Sequence, residues 1–243
     1  MAATCTLKVP LTTVPRFEAE AVENALGMLH FSAPELAELL HINPKLAAEN
    51  RLRYYNFCSD EQAVLPTLGA YTGIVFKQIH PQDFSPEDFR YAQEHLLITS
   101  FLYGLLRPLD GIKPYRLEGR ICLPGREVSM FDYWKPILTD YFIEAIQAQG
   151  GILINLASGE MKGLFDWKRV EKSVKVYTPE FLVWKKGKLT TVVSYAKMGR
   201  GRMTRYILKN RIESPEDLKA FSWQGFKLDA IRSTERTLKF TLL

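Results

Sequence analysis

Cysteine and histidine are scarce: the 243 residues contain three of the first and four of the second. Cys5, Cys58 and Cys122 are odd in number, far apart and without a Cys-x-x-Cys pair. That argues against a disulfide framework and for a reducing cytoplasm. Lone cysteines of this kind read as small buried hydrophobes. A redox sensor would need a basic neighbourhood, and Cys58 has Arg51 and Arg53 before it but Asp60 and Glu61 after it. His30, His41, His80 and His95 fall in no metal-ligand spacing, so neither a metal site nor a resident cofactor is expected. Long apolar runs are missing as well. Leu96-Leu97-Ile98 and Ile152-Leu153-Ile154 are typical, far short of the roughly 20 residues of a membrane helix. The opening Met1-Ala2-Ala3-Thr4 has no basic and apolar signal segment. Glycine-rich nucleotide loops are absent, and Ala157-Ser158-Gly159 is not a nucleophile elbow. The cationic excess is small, 32 Lys and Arg against 27 Asp and Glu, so any binding of a polyanion depends on how the charge is arranged.

What is present is the make-up of a folded protein, 47% hydrophobic and 24% charged. No repeat, low-complexity tract or long linker divides the chain, and residues 1–243 read as a single domain. Phe17 to Leu29 carries Ala21, Val22, Leu26 and Leu29 at helical spacing. Ser32-Ala33-Pro34-Glu35 is a capping box. Asn43-Pro44, Ser85-Pro86 and Ser214-Pro215 give cap-plus-proline helix starts. Met130 to Gln149 is the longest helical pattern, closed by Gly150-Gly151, with Pro136 predicting a kink or a break. Strands are expected over 151–156, buried on both faces, and over 174–177, 181–184, 189–195, 226–231 and 237–242. Lys185-Lys186-Gly187-Lys188 reads as a hairpin turn. The elements interleave without a regular βαβ rhythm. The fold class is therefore α+β or mixed α/β, a central mixed sheet flanked by helices.

Four segments could carry chemistry. Residues 197–211 hold Lys197, Arg200, Arg202, Arg205, Lys209 and Arg211 with no acid among them. A helix beginning near Gly201 would put Arg202, Arg205 and Lys209 on one face, spaced to neutralise phosphates, although a solvated helix face reads equally well. Arg200-Gly201-Arg202 adds a glycine through which backbone could approach an anion at a helix start. Second, Ile42-Asn43-Pro44-Lys45 between two short helices, followed by Arg51 and Arg53, could meet a phosphodiester without reading bases; simple helix packing is the alternative. Third, the stiff loop Leu102 to Glu118 carries Arg107, Asp110, Arg116 and Glu118, either an internal ion-pair network or an anion site. Fourth, Asn155, Ser158 and Glu160 end a strand, where sites often form, or else cap the next helix.

These blocks together resemble the YaaA family of bacterial peroxide-stress proteins. The matching residues are Leu102-Tyr103-Gly104 with Leu106-Arg107-Pro108-Leu109-Asp110, Pro114-Tyr115-Arg116-Leu117-Glu118, Trp134, Asn155-Leu156-Ala157-Ser158 with Glu160, and Tyr195-Ala196-Lys197 with Arg200-Gly201. Met203, Arg205, Asn210 and Arg211 extend the last block, and the wording is nearest the Bacteroides-type branch. The resemblance implies a cytoplasmic protein that protects against hydrogen peroxide by limiting damage from unincorporated iron. It also implies a mixed α/β fold with a helix-hairpin-helix-like element, placed by position at 42–53, that binds double-stranded or branched DNA. Family members open with a short apolar strand and a Ser-Pro-Ala-Lys or Cys-Ala-Lys motif. This chain starts past that point, which leads us to expect that it is short by about ten residues, a strand's worth and its connection.

Two functions follow. The first is a DNA-associated stress protein contacting phosphates through Lys45, Arg51, Arg53, Arg200, Arg202, Arg205 and Lys209. The second is an enzyme on a small anionic or nucleotide-like substrate held by Arg107, Arg116, Asn155, Ser158 and Lys197. There Glu118, Lys197 or Asp110 would be the candidate catalytic group.

Overall fold

The computed structural model describes residues 1–2, 4–59 and 62–242. Asp60 and Glu61, weighed above against Cys58, lie outside the described residues. The chain opens with helices α1 (Glu18–Leu29), α2 (Ala33–Leu39) and α3 (Pro44–Tyr55). Strand β1 (Leu65–Pro66), short helices α4 (Thr67–Ala70) and α5 (Ile74–Ile79), a 3-10 turn at Pro81–Asp83 and α6 (Pro86–His95) come next. Then follow β2 (Ile98–Ser100), β3 (Gly104–Leu106), β4 (Gly111–Ile112), α7 (Met130–Gln147) and β5 (Ile152–Ile154). A 3-10 turn at Gly159–Leu164 leads into α8 (Trp167–Ser173), β6 (Lys175–Lys185), β7 (Lys188–Thr190) and α9 (Val193–Asn210). The 3-10 segment Pro215–Ala220, β8 (Lys227–Leu228) and β9 (Thr237–Leu242) complete it.

The fold is mixed α/β. The main sheet runs β5-β6-β9-β8, with β7 also paired to β6. Both β5 and β9 lie parallel to β6, whereas β7 and β8 pair antiparallel to their neighbours. Two small antiparallel pairs, β1-β4 and β2-β3, stand apart from it.

Local chemistry explains most boundaries. The Ser32 and Ser85 boxes close on Glu35 and Asp88, and the Asn43 side chain accepts the Leu46 N–H at 2.9 Å with Pro44 at the first helical position. Pro136 leaves α7 unbroken, because Trp134, Leu138, Phe142 and Ile146 keep one buried face through it. Gly150 and Gly151 then reverse the chain at φ 91° and 74°, a left-handed conformation that side chains resist. Trp134 is fully buried and donates its indole N–H to the Phe101 carbonyl at 2.7 Å, anchoring the larger core. A second core lies between the main sheet and α9, where Phe181 and Phe240, partners in register, stack at 5.6 Å.

Several expectations need correction. The strands expected at 174–177 and 181–184 are one strand, β6, running through Pro179. The strand expected over 189–195 ends at Thr190, and Tyr195 belongs to α9. Ser214-Pro215 starts a 3-10 segment, not an α-helix. In α1 the buried stripe is Ala21, Ala25 and Met28, and Leu26 points outward. Cys58 and Cys122 are exposed, not buried, and Cys5 is half-buried. Strand β5 is the most telling correction: its Ile-Leu-Ile run is only half-buried, because it faces a cleft.

Candidate functional site: a cleft beside strand β5

Helix α9 starts eight residues before the expected Gly201, at Val193, so Gly201 sits mid-helix. Its role is packing. A Cβ placed there would come within 2.2 Å of the Val75 carbonyl oxygen, so the missing side chain is what lets α5 cross α9. The anion-approach reading of Arg200-Gly201-Arg202 is corrected accordingly.

Four of the five cations of α9 fall into two groups; the fifth, Arg202, is half-buried, and its buried Nε has no hydrogen-bond partner among the described residues. Arg205 clamps Asp83 bidentately at 2.8 and 2.5 Å and also donates to the carbonyls of Ile79 and His80. Asp88 receives Lys209 at 2.7 Å and Arg211 at 2.8 Å. The Arg205 hydrogen bonds hold the Asp83 carboxyl down at about 2. Burial alone would raise Asp88, but Lys209, the Ser85 N–H and Arg211 outweigh it and bring that carboxyl to about 2 as well. The stripe expected to face phosphates from Arg202 to Lys209 is thus turned, at Arg205 and Lys209, onto the molecule's own carboxylates.

Lys197 and Arg200 make no ion pair among the described residues. They face a cleft of about 760 Å³ that Arg107, Asn155 and Ser158 also line. Five residues from three distant segments therefore share one space. Arg200 is half-buried, has no hydrogen-bond acceptor for its guanidinium among the described residues, and burial depresses its pKa. Asn155 is buried just past the end of β5, its side-chain Oδ1 accepting the Ala157 N–H at 3.3 Å. Ser158 precedes the 3-10 turn but makes no side-chain cap bond among the described residues. Arg107 is fixed by Nη1 bonds to the carbonyls of Gln93 (2.7 Å) and Glu94 (3.3 Å) at the end of α6. Lys162 joins the lining, held 4.7 Å above the Trp167 ring. Sequence reasoning did not single it out, although it follows the Asn155–Glu160 block by two residues.

Arg116, Glu118 and Asp110 are not part of this lining. Arg116 and Glu118 pair with each other at 3.0 Å, both largely exposed, so Glu118 lacks the burial that proton shuttling was to draw on. Asp110 is buried and accepts the Thr13 hydroxyl and the Arg107 backbone N–H, both at 2.7 Å. Burial raises its pKa. It lines a separate void of about 210 Å³, and Arg107, Leu97 and Leu105 border both spaces.

Residues 42–53 hold the end of a tight turn and most of α3; with α2 ahead of them they make a helix, turn and helix, without further detail that marks it as a helix-hairpin-helix. Lys45 and Arg51 are exposed there and pair with no carboxylate among the described residues, whereas Arg53 is bound to Glu49. Among the described residues no group of three or more His, Cys, Asp or Glu side chains could hold a metal ion. No helix among them is long and apolar enough to cross a membrane.

Comparison with known proteins places this arrangement in context. A UPF0246 protein of Phocaeicola vulgatus is 66% identical over 238 residues, which cover 98% of this chain and 93% of the relative. One from Bacteroides fragilis is 64% identical over 236 residues, 96% of this chain and 91% of its own, and one from Bacteroides thetaiotaomicron is 60% identical over 242 residues. The model of the family described as peroxide stress protein YaaA matches residues 2–232. The Arg107, Asn155–Ser158 and Lys197–Arg200 segments that meet in the cleft all fall inside that match, and this chain belongs to the YaaA peroxide stress protein family.

Proposed function

We propose that this protein serves the response to hydrogen peroxide by holding a small anionic or nucleotide-like ligand in the cleft beside β5. One observation carries the reading: Arg200, a half-buried guanidinium without a carboxylate, faces the same space as Lys197, Arg107, Asn155 and Ser158. A guanidinium in that position is short of an acceptor, and a phosphate or carboxylate supplies one bidentately. Asn155 and Ser158 offer an amide and a hydroxyl to orient it, and the apolar remainder of the lining suits a base or ring. Of the three candidate catalytic groups only Lys197 lines the cleft; it is exposed, as Glu118 is, and serves there as a positive charge for the anion. The family resemblance adds that the protein works in the cytoplasm and limits damage from unincorporated iron.

Calorimetric titration with inorganic phosphate and with adenosine monophosphate tests this. Arg200→Ala is expected to weaken binding by about tenfold or more, the loss of one charge-assisted hydrogen bond. Equal affinities for the wild type and the variant, or no binding by either, would refute the cleft as the site. In cells, wild-type protein should restore peroxide survival to a deletion strain and Arg200→Ala should not.

A second reading, association with double-stranded or branched DNA, is favoured by Lys45 and Arg51, exposed and without carboxylates on α3. Phosphate contacts there would be indifferent to sequence and would weaken steeply with salt. Replacing both with alanine should lower the slope of log affinity against log salt by roughly 2. A slope that stays put would refute this reading.

A further inference from the structure

Beside the cleft lies the smaller space, about 210 Å³, whose wall holds two guanidiniums, Arg16 and Arg107, and one carboxyl, Asp110. The other polar groups there satisfy one another. Thr13 donates its hydroxyl to Asp110 Oδ1 at 2.7 Å and accepts Gln93 Nε2 at 3.1 Å, while Gln93 Oε1 takes the Leu109 N–H at 2.8 Å. Asp110 Oδ2 accepts the Arg107 backbone N–H at 2.7 Å. The two guanidiniums are left over. Arg107 is held through Nη1 alone, which donates to the carbonyls of Gln93 and Glu94 and so caps the end of α6. Its Nε and Nη2 have no acceptor among the described residues, and that edge is one a carboxylate meets with two parallel hydrogen bonds. Burial raises the Asp110 pKa and the Arg107 charge works against that rise, which sets the guanidinium near this space. Arg16 is exposed, pairs with no carboxylate among the described residues and lies 5.9 Å from the centroid of the Tyr141 ring.

We infer that this space is a second binding site, for a small organic carboxylate of about two to four carbons, clamped between Arg16 and Arg107. Size sets the upper limit. One water takes about 30 Å³ of the liquid, so a space of about 210 Å³ admits only a handful of non-hydrogen atoms. Charge sets the sign. Two cations against one carboxyl leave an excess of positive charge, and the donors without acceptors sit on those cations. A carboxylate suits the wall better than a phosphate does. Leu97 and Leu105 form its apolar part, where further phosphate oxygens would lie without partners and a short carbon tail would not. Capping of α6 accounts for Nη1 of Arg107 but not for its open edge, and not for Arg16. Because Arg107 keeps its orientation without a ligand, little side-chain freedom is lost on binding. Arg16 borders this space alone and Arg200 the cleft alone, so the inference does not rest on the ligand reading of the cleft.

The test is titration of the protein with acetate, lactate and succinate in chloride-free buffer, followed by the NMR shifts of the Arg16 and Arg107 Nε–H groups. For so few atoms the expected Kd is about 1 mM, with both signals moving along one saturating curve. Arg16→Gln alters an exposed side chain, so the fold should survive it. Binding should weaken by about tenfold or more, the loss of one charge-assisted hydrogen bond. Arg200→Ala should keep the carboxylate affinity within about twofold. Inorganic phosphate should bind at Arg16 at least about tenfold more weakly than the best carboxylate. Signals that do not saturate by about 50 mM would overturn the inference. So would equal affinities for the wild type and Arg16→Gln, or phosphate bound at Arg16 as tightly as the carboxylates. A loss in Arg200→Ala matching that in Arg16→Gln would overturn it as well, by placing the carboxylate in the cleft. The cleft reading is tested with adenosine monophosphate at Arg200, so the two readings fail separately.

Discussion

Asp88 is the mooring of α9, and its removal should be felt mainly as lost stability. The carboxylate is 7% exposed, accepts Lys209 at 2.7 Å and Arg211 at 2.8 Å, and takes the Ser85 N–H at 2.9 Å in the capping box of α6. It is held at about 2, against 3.8 for a free aspartate. Because the folded-state value lies below the unfolded one, the stabilisation is complete above the unfolded value and is lost as pH falls toward 2. The difference corresponds to about 2 kcal/mol at neutral pH. Asp88→Asn keeps the shape and one acceptor oxygen but removes the charge, and two partly buried cations lose their partner. For a chain of this length the expected drop in Tm is roughly 4–8 °C at pH 7. The assay is thermal unfolding followed by circular dichroism from pH 7 to pH 2. The wild type should lose stability below about pH 4 and the variant should lose less, so the two curves converge at the acid end. Parallel curves across that range, or an unchanged Tm at neutral pH, would refute the account of Asp88 as a paired carboxylate.

Other outcomes can be checked more briefly. Gly201→Ala would drive a methyl to 2.2 Å from the Val75 carbonyl oxygen, and the displacement of α5 should cost about 1–3 kcal/mol by urea denaturation. Arg205→Ala should leave the salt slope of duplex DNA binding unchanged, since that guanidinium is spent on Asp83, while lowering Tm. Thiol titration of the native protein should find Cys58 and Cys122 reacting promptly and Cys5 slowly, in line with their exposure.

Helix starts were the most legible part of the sequence, because capping is local chemistry: Ser32, Asn43 and Ser85 act within three residues of themselves. Strand β9 was equally plain from its alternation, and its bounds match the 237–242 reading. What could not be read was tertiary in origin. Residues 189–195 carry β-branched and aromatic side chains, but α9 claims the last three of them because Gly199 packs against the Phe181 ring of β6 and Met203 joins the core around Phe181 and Phe240. The cationic stripe was visible as composition, whereas its division between Asp83 and Asp88 on one side and the cleft on the other depends on partners more than a hundred residues away. In the same way, Arg107, Asn155, Ser158 and Lys197 line one space, while Arg116 and Glu118, grouped with them from the sequence, lie outside it along the loop.

Arg107 forms a thin partition: with Leu97 and Leu105 it lies between the large cleft and the small space that the buried Asp110 lines. Cutting it back to alanine would join the two spaces and bring more solvent to a carboxyl whose pKa burial raises. Whatever enters the large chamber is therefore one side chain away from the joint, Thr13 to Asp110, that pins the start of the chain to the rest of the molecule.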